Sequence, residues 1–419
     1  MSACLIGCIA DDFTGGSDAA SFLKKGGLRT LLINGNGYEG YRLKEGDEAA
    51  VIALKTRSVF PEKAVSETVA AARWFLNQGV EQIYFKYCST FDSTDRGNIG
   101  PVTDALMELL HAPYTILCPA LPVNGRTVTD GVLYINGVPL AESPMRFHPL
   151  NPMLRSAVAE LMAPQSKYPC AALPRELLNR GEEEVAAYLR DRLGGAEHGT
   201  LVVDYDAEEQ GERLAALFGG LPLLTGGSGL LRYLAERCSA GKVRERESRQ
   251  APSRRPRLLL AGSCSEMTRK QISAYLTAGK RAIRIFPEKL LSGEQSEEEL
   301  KDAVRNTEED LLLYSTAPQE ERSLRLEGRD VPAMLEALMG TLALCGQEAG
   351  YERIVVAGGE TSGAAVQSLG DTVFEIGRDV APGVPELRPV NRPTLRLVLK
   401  SGNFGDEEFF LKALAEDTE

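Results

Sequence analysis

At 419 residues the chain exceeds one ordinary core, so two domains are expected. With 43% hydrophobic and 25% charged residues it reads as globular, and a net charge of −12 excludes nucleic acid and anionic membrane as partners, since both need a basic face. Three histidines and eight scattered cysteines without a CxxC pair argue against a zinc site and for the reduced thiols of a cytoplasmic protein.

No basic region precedes the N-terminal apolar run and no apolar stretch reaches membrane-spanning length, so neither a signal peptide nor a span is expected. The first strand is predicted over 5–9 and leads into "ADDFTGGSD" (10–18), with a helix over 17–26. Two adjacent acids on a glycine turn repel one another. One is expected to cap the helix starting near Ser17, while its neighbour faces a cleft as a substrate ligand or base. A second strand (28–33) precedes "NGNGYEGYRL", whose Gly35, Gly37 and Gly40 match GxGxxG. The match follows the second strand and no clear helix comes after it, so a loop is expected there. GxxxxGK[ST] is absent from the sequence, which excludes a P-loop.

A strand over 51–54 ends in "LKTRS", which places Lys55, Thr56 and Arg57 at a strand end. Arginine is the side chain best shaped to clamp a carboxylate with two bonds. After a helix over 61–78, the strand 82–86 ends in "FKYCSTFDSTDRGN", with Lys86, Asp92, Ser93, Thr94 and Arg96. These polar groups, together with Asp11 and Asp12, suit a small acidic substrate. A helix (98–111) and a strand (115–118) precede a segment rich in Pro, Gly and Asn. Within it "VLYINGVPL" is a hairpin with Asn136-Gly137 at its turn, read as a flap over the site. Helices over 151–162, 183–193, 207–218 and 228–238 alternate with strands over 200–204 and 222–224, the latter entering "LLTGGSGL".

The charged stretch 239–257 interrupts the alternation and reads as a linker. The expected division is a first domain over 1–240, a linker over 241–255 and a second domain over 256–419. Strands resume at "LLLAGSCS" and near 282–286, 310–314, 353–357 and 395–399, with a last helix over 405–416. The class is α/β, two domains with largely parallel sheets and the active site in the interdomain cleft. Three strand ends of the second domain are glycine- and hydroxyl-rich, "AGSCSEMT", "VVAGGETSG" and "LVLKSGNFG". Glycines let the backbone approach a phosphate, and following helices supply amide N–H groups. The candidate nucleotide residues are Ser263, Ser265, Gly358, Gly359, Glu360, Thr361, Gly402, Asn403 and Gly405.

As a set, "ADDFTG", "KYCSTFDST.RGN", "CPALPVNGRTV…HPLNPM", "TGGSGL", "GSCS", "GGETSG" and "SGNFG" resemble the four-carbon acid sugar kinases over nearly the whole chain. That resemblance implies an N-terminal sugar-acid-binding domain, a C-terminal nucleotide-binding domain and transfer of the ATP γ-phosphoryl group to a C4 hydroxyl. It implies that Asp12, Arg57 and Asp92–Thr94 line the substrate side, leaving Asp11 as the helix cap. Ser263, Gly358–Thr361 and Gly402 would line the ATP side. "CPALPVNGR" and "HPLNPM" favour the 3-oxo-tetronate branch over the D-threonate and D-erythronate branch. Mg²⁺ is expected to bridge the phosphates, on ligands the sequence does not identify. The general base is Asp12 or Asp92, and a homo-oligomer is left open. A sensor that binds nucleotide or sugar acid without turnover is the rival of a different class.

Overall fold

Segments of four or five apolar residues, each closed by a polar or glycine-containing turn, become buried strands, and the amphipathic stretches between them become covering helices. The computed structural model describes residues 5–148, 151–178, 180–240, 256–316, 325–326 and 329–415. Contacts divide the chain into Met1–Arg244 and Glu245–Glu419, considered separately below. The expected linker, 241–255, lies outside the described residues. No helix among the described residues is long and apolar enough to cross a membrane.

In the first unit β1 (Ile6–Ala10), α1 (Phe13–Lys25), β2 (Thr30–Asn34), β3 (Ala49–Ala53), α2 (Pro61–Asn77), β4 (Gln82–Lys86), α3 (Ile99–Leu109) and β5 (Thr115–Cys118) follow one another. A separate antiparallel sheet follows, β6 (Arg126–Thr129), β7 (Val132–Ile135) and β8 (Val138–Pro139). Then come α4 (Val158–Met162), β9 (Cys170–Ala172), α5 (Arg175–Leu178), α6 (Glu182–Leu193), β10 (Thr200–Val202), α7 (Glu208–Phe218), β11 (Leu223–Gly226) and α8 (Leu231–Ser239). The main sheet is parallel and ordered β2-β3-β1-β4-β11-β5-β10-β9, so the ends of β1, β3 and β4 lie side by side.

The second unit comprises β12 (Leu258–Ala261), α9 (Glu266–Thr277), β13 (Ala282–Arg284), α10 (Pro287–Ser292), α11 (Glu297–Arg305) and β14 (Leu311–Tyr314). The short pair β15 (Arg325–Leu326) and β16 (Arg329–Asp330) precedes α12 (Val331–Glu348), β17 (Arg353–Ala357) and α13 (Gly359–Leu369). The unit closes with β18 (Val373–Ala381), β19 (Val384–Pro389), β20 (Arg396–Lys400) and α14 (Phe409–Leu414). Its strands run in the order β13-β14-β12-β17-β20-β19-β18, parallel as far as β20 and antiparallel beyond it. Leu259, Leu312, Val355 and Val398 pack with Tyr275, Phe409 and Phe410 in its core.

Asn136 and Gly137 form the expected turn, with φ of 50° and 79°, and Ile135 pairs with Val138 across it. Three expectations need correction. The first helix starts at Phe13, not near Ser17, because Asp12 caps it and the glycines lie inside its first turn. A Cβ on Gly15 would sit 1.9 Å from Lys86 Nζ, and one on Gly16 2.7 Å from Ala53 Cβ, so these glycines serve close packing. The helix expected over 151–162 shrinks to Val158–Met162. The residue before its cap bonds β7 instead, Leu133 N donating to Ser156 O (2.8 Å), and the first helical amide, Val158 N, donates to Gly131 O (2.9 Å) in the turn before β7. The last helix, expected over 405–416, starts only at Phe409, since Gly405 turns the chain with φ of 76°; residue 416 lies outside the described residues.

Candidate functional site

The end of β1 is tied to both neighbouring strand ends. Asp11 N donates to Lys86 O (3.1 Å), and Asp11 O accepts from Thr56 N (2.9 Å) and Arg57 N (3.1 Å). Asn98 secures the loop after β3 from below, its Nδ2 donating to Thr56 O (2.8 Å) and Val59 O (3.1 Å). Asp11, Asp12, Arg57 and Lys86 are thereby gathered at the carboxyl ends of the central strands, where parallel sheets place their ligands.

The cap falls to Asp12 and not, as expected, to Asp11. Asp12 is the cap, its Oδ1 accepting from Gly15 N at 2.8 Å, although its side chain stays 30% exposed. Asp11 is buried, with Arg57 Nε on its Oδ2 and Arg57 Nη2 on its Oδ1, both at 2.8 Å. Nη2 also donates to Asp12 Oδ1 at 2.7 Å. Both carboxylates therefore converge on one guanidinium, which removes the repulsion that made the pair puzzling. The arginine's Nε–Nη2 edge, one of two that could meet a carboxylate, is taken by Asp11. Burial alone would raise the Asp11 carboxyl, but Arg57 and, more weakly, Lys86 outweigh it and hold it below the usual aspartate value.

Lys86 is buried at the end of β4 and extends its ammonium along the first turn of α1, beside Gly15. Lys55 is exposed. Asp92 has a positive φ of 36°, directly after Phe91 at 65°, and its Oδ1 accepts from Thr90 Oγ1 at 2.7 Å. Such backbone strain in non-glycine residues persists only where its surroundings enforce it. Ser93 is buried and donates to Gln165 Oε1 (2.7 Å), so its hydroxyl holds the loop together. Thr94 is half-buried, and its carbonyl accepts from Gly97 N. Asp95 pairs with Arg155 at the surface. Burial pushes the Cys88 thiol up to about 11, leaving it neutral and unsuited to nucleophilic work.

In the second unit the glycine-rich ends of β12 and β17 form one end of a cavity of about 820 Å³, within the range of sites for small molecules. Ser263, Gly358, Gly359, Glu360 and Thr361 line that end. Gly358 has φ of 131° and leads into α13, whose amide-bearing N-terminus opens on the cavity. Ser265 caps α9, accepting from Thr268 N at 3.2 Å. Gly402, Asn403 and Gly405 are not among the lining residues. Gly402 abuts the lining, since a Cβ there would sit 2.3 Å from Ser263 Oγ; Asn403 is exposed, and Gly405 turns the chain onto Phe409.

Two features escaped the sequence reading. The cavity is also lined by an apolar set, Ile285, Phe286 and Pro287 after β13 and Val331, Leu335 and Met339 of α12, with Arg284, Glu288 and Glu336 among them. The Arg284 guanidinium lies over the Phe286 ring at 4.7 Å. In the sequence such residues look like ordinary core. The second is Lys400, buried beneath the "SGNFG" loop; its only signal was a lysine closing a mostly apolar strand, as Lys86 does in the first unit.

Residues 6–234 match the family described as "Sugar-binding N-terminal domain" and residues 258–410 the one described as "Nucleotide-binding C-terminal domain". The chain is 42% identical over 422 residues to a 3-oxo-tetronate kinase of Salmonella typhimurium, covering 98% of this chain and 99% of that one. A 3-oxo-tetronate kinase of Brucella melitensis is 41% identical over 417 residues, covering 97% and 94%. Among solved structures, the Haemophilus influenzae protein HI1011 superposes with a TM-score of 0.82 at 38% identity, over 97% of this chain and 98% of that one.

Proposed function

This chain belongs to the family that joins a sugar-binding N-terminal domain to a nucleotide-binding C-terminal domain, and on that premise we propose that it is a 3-oxo-tetronate kinase. It is a phosphotransferase that moves the γ-phosphoryl group of ATP onto the C4 hydroxyl of the four-carbon acid. The observation that carries this reading is the cavity of the second unit, with glycine-rich backbone at one end for phosphates and an apolar wall for a base.

Phosphoryl transfer passes through a loose transition state, so the protein mainly positions the reactants and neutralises charge. In this reading Arg57 is a strut. With Asp11 it fixes Asp12, whose Oδ2 is then free of the cap bond and points the substrate's hydroxyl at the phosphorus. Asp92, held by Thr90, is the second candidate for that task. Lys86, not the occupied edge of Arg57, supplies the cation for the sugar-acid carboxylate. On the nucleotide side the amides of Gly359 and its successors take the phosphates, and Phe286 with its α12 neighbours takes the base.

Mg²⁺ normally keeps several waters and takes only one or two carboxylates beside the phosphates. The described residues contain no cluster of three metal-binding side chains, which suits that mode rather than an all-protein cage. Glu360, exposed in the first turn of α13 beside the glycine-rich end of the cavity, would share such an ion; Glu288 and Glu336 line the same cavity. The ion would neutralise charge on the transferring group.

The test is ADP release, measured by a coupled assay across 3-oxo-tetronates, D-threonate and D-erythronate. Turnover confined to the oxo acids supports the reading. Turnover of threonate or erythronate alone moves the chain to the other branch, and ATP binding without turnover would make it a sensor.

A further inference from the structure

Lys400 ends β20 and is 1% exposed, yet among the described residues no carboxylate lies within ion-pairing distance of it. Its ammonium donates to three neutral acceptors: Gly402 O at 2.8 Å, Ser401 O at 3.1 Å and Thr268 Oγ1 at 3.1 Å. Gly402 O is an unusual acceptor, because Ser265 Oγ (2.6 Å) and Thr268 Oγ1 (2.9 Å) donate to it as well. Three donors, one of them charged, thus hold a single carbonyl. In a trans peptide the C=O and the following N–H point in opposite directions. A carbonyl held inward therefore turns the Asn403 amide outward, at an exposed loop that abuts Ser263 of the cavity lining.

A buried cation without a counter-ion is costly in the free protein. A polyphosphate arriving at the adjoining glycine-rich end would offset that cost. We propose that Lys400 is a positioning residue for the nucleotide, fixing the 401–403 loop through the Gly402 carbonyl and contributing a buried positive charge that the phosphates complete. The inference rests on the nucleotide reading of the second-unit cavity.

The neighbourhood makes the charge titratable. Burial lowers the Lys400 ammonium to about 8. The charged groups on the surrounding elements are engaged elsewhere. Glu266 and Lys270 of α9 pair on the surface, and Lys412 of α14 pairs with Asp406 and Glu408. Glu386, the buried acid across from Val398 on β19, is taken by Arg353, Arg388 and Arg396, and Glu360 faces the cavity. The group lying against Lys400 from α14 is the uncharged Phe409 ring, at 5.7 Å. An anion that favours the protonated lysine must bind more weakly as pH rises past that value, and must take up protons as it binds near it.

The experiment is calorimetric titration of the full-length protein with ATP at pH 8 in two buffers of different ionisation enthalpy, together with the pH profile of KM for ATP. Wild type should show proton uptake, and its KM should rise roughly tenfold from pH 7.5 to 9.5 while kcat changes much less. Lys400→Met should abolish the uptake and raise KM at pH 7.5. Lys400→Arg, which keeps its charge, should flatten the profile. If Lys400→Met does not fold, the wild-type uptake still decides. ATP binding with the same heat in both buffers and a flat KM would overturn the role of Lys400 while leaving the nucleotide site standing. No ATP binding at any pH would overturn both.

Discussion

Replacing Asp11 by Asn separates the structural account of the acid pair from the sequence-based one. Were Asp11 a simple helix cap, Asn would replace it at almost no cost, since the two cap comparably. The structure instead makes it the buried partner of Arg57, joined by two charge-assisted bonds. Removing one member of a fully buried pair costs about 3–5 kcal/mol, because the other charge is left uncompensated. Here Arg57 keeps Asp12 at 2.7 Å and its side chain is 26% exposed, which reduces the expected loss to about 2–3 kcal/mol. Trp74, the single tryptophan, lies in α2 against Tyr38 and Phe75 and so reports on the first unit. Urea unfolding followed by its fluorescence should move to a lower midpoint by about 1 M for a urea slope of 2–3 kcal/mol per molar. The pH dependence has a definite sign. A carboxyl whose folded value is depressed contributes stability above its unfolded value of about 4, and that stability is lost as pH falls through the folded value. The gap between wild type and Asp11→Asn should therefore be full at neutral pH and narrow below about pH 4. A midpoint shift below about 0.2 M at pH 7 would refute the buried-pair reasoning.

Asp12→Asn should retain the cap and the urea midpoint while lowering kcat by about 10²-fold, the scale of a positioned catalytic group, in steady-state assays; if kcat holds, the hydroxyl ligand is Asp92. Arg57→Lys keeps a charge but cannot span both acids, so both stability and kcat should fall, kcat by roughly tenfold, with a smaller change in KM for the sugar acid. A rise confined to that KM would restore Arg57 as a direct carboxylate clamp. Gly359→Val has open space around its new side chain in the free protein, so thermal unfolding should change little while KM for ATP rises by at least about tenfold. Unchanged ATP kinetics would remove the α13 N-terminus from the site.

What the sequence determined by itself was everything that depends on near neighbours along the chain. Apolar runs such as "LLLA" and "IVVA" become strands because burial on both sheet faces demands continuous apolar residues. Asn-Gly specifies its turn because both residues must adopt positive φ. The glycine-rich strand ends were legible for the same reason, and they line the cavity where they lie beside Ser263 and Gly358. Tertiary structure decided what depends on residues far apart. Whether Asp11 or Asp12 caps α1 turns on Arg57, some 46 positions away, whose guanidinium claims the inward acid and leaves the cap to the other. The hydroxyl of Ser93 is spent on Gln165, 72 positions on, and the wall made by Phe286 and Met339 is apolar sequence that only packing leaves facing a void. Lys400 stands at the limit of that distinction. Its position at the end of a mostly apolar strand is written in the sequence, but the carbonyl it holds, and the lack among the described residues of an acid within ion-pairing distance, arise only when α9, β20 and the loop after it come together, because a charge's cost depends on its surroundings in space and not on its neighbours in the chain.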